Sequence, residues 1–162
     1  MNKFLGAAAA LFFAGSANAA EIVRHSAGAE AIILEGVTVP AGSETLYLSG
    51  QLADPIDPTK KTTAEDYGDT HTQAISTFKK IKASLEKHGY SMGDVVKLTV
   101  FVAGDPKLGG KLDFKGFNDA YKMFFGTAEQ PNKVARSTVQ VAALVQPQYL
   151  IEIEATAVKA PK

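Results

Sequence analysis

The sequence has no cysteine, no tryptophan, only three histidines and no surplus of either charge. Without cysteine, neither disulfides nor thiolate metal sites are available, so the core must hold by packing alone. Seventeen basic against seventeen acidic side chains leave no electrostatic footprint for nucleic acid or an anionic membrane. His25, His71 and His88 fall in three different segments, which argues against a metal site built on them. Asp54, Asp57, Glu65, Asp66 and Asp69 crowd one stretch but lack the stepwise order of a calcium loop, and they read as a solvated loop and helix cap. Long apolar runs are missing too, apart from one at the start.

That first stretch, residues 1–19, reads as a secretory signal. Lys3 supplies the positive start, Leu5 to Ala14 the apolar run, and Ala17-Asn18-Ala19 a small-x-small cleavage site. Gly15, Ser16 and Asn18 interrupt the run before the roughly 20 apolar residues that a membrane span needs. The expectation is a mature chain of residues 20–162, a single domain of 143 residues with a formal charge of −1, periplasmic or secreted, with no membrane attachment after cleavage.

What remains alternates clearly. Ile22 to His25, Ala31 to Val39 and Thr45 to Gly50 read as strands, with Pro40-Ala41-Gly42 as a turn between the last two. Ala74, Ile75, Phe78, Ile81 and Leu85 then recur at three- and four-residue steps, predicting a helix from about Asp69 to His88 that is capped by Asp69 or Thr70 and ended by Gly89. Val95 to Ala103 is a strand with one oily face. Leu112 to Phe125 carries Phe114, Phe117, Tyr121 and Phe124 along one helical stripe, read as core. Two strands close the chain, Ala135 to Ala143 and Tyr149 to Lys159, joined by a short loop with Pro147 that suits a hairpin. Their alternation puts Val139, Val141, Ile151 and Ile153 on an oily side and Arg136, Thr138, Gln140, Glu152, Glu154 and Thr156 on a polar one, to which Lys97 and Thr99 add. The order β-β-β-α-β-α-β-β is that of an α+β mixed sheet with both helices packed on one face.

Five segments carry a resemblance. Ala135-Arg136-Ser137-Thr138-Val139-Gln140-Val141-Ala142 followed by Ile151-Glu152-Ile153-Glu154-Ala155 is similar to the C-terminal signature of the RidA (YjgF) family. Ser49-Gly50-Gln51, Gly93 to Phe101 and Phe117 to Phe125 match in the same order, so the likeness covers nearly the whole chain after Thr45. It implies a chorismate-mutase-like fold and a homotrimer with a central barrel-like core and ligand clefts between subunits. It also implies cofactor-free, metal-free hydrolytic deamination of reactive enamines and imines to 2-oxo acids and ammonia. In that family the arginine matching Arg136 holds the substrate carboxylate, and the glutamate matching Glu152 orients or activates water. Ser49 and the Gly50 backbone match the cleft wall, and Asn118 a polar residue at its rim. Thr138 stands where a cysteine is usual, and the family's N-terminal ligand-contacting tyrosine has no counterpart in Ala31 to Gly36. The residue types suit those tasks: a guanidinium grips a carboxylate through two parallel bonds, and a carboxylate can relay the protons of an attacking water. The alternative reading is a binder of small carboxylates, or a holdase-like protein, using the same clefts without catalysis.

Overall fold

The computed structural model describes residues 20–161. The expected signal segment lies outside the described residues.

Six strands form one sheet: β1 (Val23–Ser26), β2 (Leu34–Thr38), β3 (Glu44–Leu52), β4 (Val95–Ala103), β5 (Ala135–Val141) and β6 (Ile151–Lys159). Their spatial order is β1-β2-β5-β4-β6-β3. Two helices, α1 (Thr70–Lys87) and α2 (Phe114–Tyr121), supply the rest of the regular structure around which the core is built. The element order matches the expected α+β pattern, with β4 starting and ending where the alternation places it. Among the described residues no helix is long and apolar enough to cross a membrane.

The helix α1 forms because its apolar residues recur on one side. Asp69 starts it by accepting the Thr72 N–H at 2.8 Å, and Gly89 stands after it at φ +79°, a conformation that costs glycine little. Ala74, Phe78, Ile81 and Leu85 are fully buried against Leu98, Val100 and Val102 of β4 and Ile151 and Ile153 of β6. Phe117, Ala120 and Tyr121 of α2 complete that layer. The second helix is shorter than its aromatic stripe suggests, ending at Tyr121 and continuing as turns through Phe125. The turn at Pro40 to Ser43 is present, closed by Ser43 N–H to the Pro40 carbonyl, but the strands it joins lie in opposite halves of the sheet, β2 inside β1 and β3 at the far edge.

One expectation fails outright. β5 and β6 do not form a hairpin: both pair with β4, β5 in parallel and β6 antiparallel, on its two sides. A nine-residue strand of almost unbroken apolar character is the natural centre of a sheet, since both of its edges then find partners. The connection, residues 142–150, therefore passes over the end of β4. Gln73 of α1, wholly buried, ties it down: its Nε2 donates to the Gln148 carbonyl at 3.0 Å and its Oε1 accepts the Leu150 N–H at 2.9 Å.

The N-terminal strand is fastened by a side chain. The Arg24 guanidinium donates to the carbonyls of Gly93, Val95 and Lys133 at 2.8, 3.0 and 2.9 Å. It thus ties β1 to the segments that lead into β4 and β5.

Candidate functional site

Arg136 is the second residue of β5, and its ladder partner on β4 is the fully buried Leu98. Paired residues share a face, so its side chain passes to the helix side of the sheet. There the guanidinium lies among three rings of α2, with its Cζ 4.6 Å from the Tyr121 ring centre, 4.8 Å from Phe117 and 6.0 Å from Phe114. A ring face attracts a cation, and these rings are themselves fixed: Tyr121 stacks on Phe125 at 5.0 Å. Asn118 Oδ1 accepts a bond from Nη2 at 2.7 Å. No acidic side chain pairs with Arg136 among the described residues. Burial pulls its pKa down from the ordinary value, yet a guanidinium stays charged in a protein. Burial likewise pushes the Tyr121 phenol up.

Three polar atoms here are sealed from solvent without a hydrogen-bond partner, Arg136 Nη1 and Thr138 Oγ1 on β5 and the Tyr121 hydroxyl on α2. Thr138 pairs with Val100 on β4, so it and Arg136 belong to the helix-side face of one strand. Leaving a buried donor or acceptor unpaired costs about 1–3 kcal/mol, and more for a charged group.

Glu152 is built differently. On β6 it faces Phe101 of β4, three residues from Leu98, and so points to the opposite, helix-free side of the sheet. Beside it β3 carries one extra residue: Leu48 pairs with Ala155 and Gln51 with Ile153, leaving Ser49-Gly50 as a bulge. Gly50 lies so close to Glu152 that a Cβ added there would overlap its Oε1 and stand 2.9 Å from its Cγ. The carboxylate occupies the space that any other residue's side chain would fill. Ser49, whose carbonyl accepts from the Gln51 side chain at 3.1 Å, flanks a separate shallow cleft with Lys97, Thr99, Glu154 and Thr156.

The expected single polar face therefore divides. Glu152, Glu154, Thr156, Lys97 and Thr99 share the open side, whereas Arg136, Thr138 and Gln140 turn toward the helices, and Val139, expected inside, is 46% exposed. Within one chain the six expected site residues fall into two groups, Arg136 with Asn118 and Thr138, and Glu152 with Ser49 and Gly50. Two strand spacings and three residues separate the Cα atoms of Arg136 and Glu152, about 14 Å, with the sheet between their side chains. The rings around Arg136 went unrecognised as part of a site, although an arginine without an acidic partner downstream of an aromatic helix stripe is a usable signal. Among the described residues, no three histidine, aspartate or glutamate side chains converge as a metal site would require.

Residues 37–159 match the family model described as Endoribonuclease L-PSP. A RutC family protein of Pyrococcus horikoshii is 40% identical over 114 residues, covering 70% of this chain and 79% of its own. The 2-iminobutanoate/2-iminopropanoate deaminase of Salmonella typhimurium is 40% identical over 111 residues, covering 68% of this chain and 77% of its own. Among solved structures, that of E. coli TdcF with bound serine is 34% identical, with a TM-score of 0.55 over 82% of this chain and 91% of that one. The structure of the YjgF gene product of E. coli is 35% identical, with a TM-score of 0.55 over 75% and 84%. A family model spanning most of the chain, relatives matched along most of their length and a shared α+β fold agree: the chain belongs to the RidA (YjgF) family.

Proposed function

We propose that this protein hydrolyses reactive 2-imino acids, and the enamines that tautomerise to them, to 2-oxo acids and ammonia, at clefts formed between the subunits of a homotrimer. The observation that carries the reading is the pair of sealed, unpartnered polar atoms on β5, Thr138 Oγ1 and Nη1 of the Arg136 guanidinium, which has no acidic partner among the described residues. A carboxylate-bearing ligand supplies the missing acceptor for one and a polar neighbour for the other. Reaching Nη1 requires the guanidinium or the rings around it to move, because that nitrogen is sealed from solvent.

The chemistry follows from the two groups. With the substrate carboxylate on Arg136, the C=N carbon is presented to water; Glu152 accepts a proton as that water adds, and the proton is returned to the nitrogen so that ammonia leaves. Water is consumed and the carbon–nitrogen bond becomes carbon–oxygen, with no change of oxidation state. Such imines already react with water, so orientation and proton transfer of about 10²–10⁴ suffice. Since the two groups lie on opposite faces of one sheet, the reading joins Arg136 of one copy to Glu152 of the next. Phosphodiester cleavage, which the name of the family model brings to mind, is disfavoured by a chain with no surplus of positive charge.

The test is release of ammonia and 2-oxo acid from imines generated in situ by an amino-acid oxidase. Wild type exceeds the spontaneous rate, and Arg136→Ala and Glu152→Gln fall back to it. Dissociating and remixing the two inactive variants then recovers about a quarter of wild-type activity, because in a randomly mixed trimer one site in four unites an intact arginine with an intact glutamate. If both variants are inactive but remixing recovers nothing, the site lies within one subunit. If wild type itself does not exceed the spontaneous rate, the protein binds small carboxylates without turning them over.

A further inference from the structure

A second cavity lies at the far end of β4 and β5, away from Arg136. It has a volume of ≈ 280 Å³ and sits where both parallel strands end, under the crossover 142–150 and against the first turn of α1. Its walls are small, with Ala103, Ala142 and Ala143 leaving space that larger side chains would fill. The carboxyl ends of parallel strands, where the chain crosses over, are a recurrent place for ligands.

Its charged lining is mostly acidic. Glu65, Asp69 and Asp105 face it with Lys107 as the lone cation. Asp69 is engaged as the cap of α1, and its carboxyl is held below the ordinary value first by the Thr72 N–H and, more weakly, by nearby positive charge including Lys107. Asp105 is different. It is 6% exposed, and its Oδ1 accepts the Lys107 N–H at 2.8 Å, but its Oδ2 takes no hydrogen bond from any described residue. Asp105 lines the cavity, and unlike Arg136 Nη1 that oxygen is not sealed from solvent. Glu65 forms no ion pair among the described residues. The side chains do not converge as metal ligands. Tyr149, set edge-on against Tyr67 at 5.1 Å, adds an aromatic wall.

We propose that this cavity binds a small organic ammonium compound, its charged nitrogen on Asp105 Oδ2 with Glu65 nearby, and its short apolar body against the alanines and Tyr149. An enclosed carboxylate with a free oxygen binds an ammonium by a charge-assisted bond, and an aromatic wall favours the adjoining cationic carbon atoms. The shared chemistry is a primary ammonium on about three or four carbons, which either a simple amine or an amino acid provides. This site is independent of the deamination reading and does not involve Arg136 or Glu152.

The experiment titrates the full mature protein with n-butylammonium, L-2-aminobutanoate and butanoate, following backbone amide shifts by NMR. Saturable shifts at Gly104, Asp105 and Tyr149 are expected with butylammonium and absent with butanoate. A response to L-2-aminobutanoate as well makes amino acids the natural source; a response to the amine alone makes it simple amines. Asp105→Asn weakens binding about tenfold or more. Ala143→Leu, which fills the cavity and leaves every carboxylate in place, removes it, and serves if Asp105→Asn does not fold. No saturable shift in the folded wild type, equal response to butanoate, or binding unchanged in Ala143→Leu overturns the proposal.

Discussion

Around Arg136 a cation is held by side chains, whereas around Glu152 the backbone leaves room for a carboxylate. Three rings of α2 and the Asn118 amide fix the guanidinium on the helix side of β5. On the open side of β6, the carboxylate lies in the space left by a bulge and by the missing side chain of Gly50. The first arrangement tolerates movement of any one ring but depends on the planar, delocalised shape of its cation. The second depends on the emptiness of one position and is indifferent to most of its neighbours. The two groups that the proposed reaction requires are thus placed by unrelated means, and each has its own point of failure.

The strongest challenge to this contrast is Arg136→Lys. Charge is retained, but the fork and the flat face that lies among the rings are lost, so kcat/KM is expected to fall about 100-fold with little change in melting temperature. Near wild-type activity in the lysine variant would mean that charge alone matters and that the rings are ordinary core. Next comes Gly50→Ala. Because the atom it meets is the mobile end of Glu152, the fold adapts while the carboxylate is pushed aside, and activity is expected to drop about tenfold at nearly unchanged stability. A large loss of melting temperature with retained specific activity would contradict it. Asn118→Ala removes one bond to the guanidinium and leaves the rings, with an expected loss of a few-fold, mainly in KM.

The smallest effect belongs outside both halves. Asp69→Ala removes the cap of α1 and costs about 1 kcal/mol without touching the deamination rate. The Asp69 carboxyl is depressed below its ordinary value by the Thr72 N–H, so its contribution is present above the unfolded carboxylate range and lost as pH falls through the folded value. Melting temperatures of variant and wild type are therefore expected to differ at neutral pH and to converge in acid more extreme than the ordinary carboxylate range. A gap that persists there would place the effect in packing rather than in the charge.

Much of the architecture was legible because the chain is locally consistent. α1 was readable from cap to closing glycine, and β4 from end to end, since period and terminal residues agree. Pairing was not legible. Two adjacent strands joined by a proline-containing loop look like a hairpin, and only the demand of β4 for partners on both edges sends β5 and β6 to opposite sides. The face of β5 was misread for a related reason. Alternation tells which residues share a side but not which side is the core, and burying Val139 in preference to Arg136 is the ordinary expectation. The aromatic stripe of α2 reverses it, because rings that would close over an aliphatic side chain accept a guanidinium as well. The grouping of Asn118 with Arg136 is set by where α2 falls across the sheet, which no local pattern encodes.

The clasp formed by Arg24 has a kinetic consequence. Its three bonds join residues 69, 71 and 109 positions apart in sequence, the last the longest separation among the side-chain bonds described, and cannot form until both central strands are in place. Bonds made that late are absent from the folding barrier and present in the unfolding one. The arginine of the first strand therefore governs how long the native state lasts far more than how quickly it is reached.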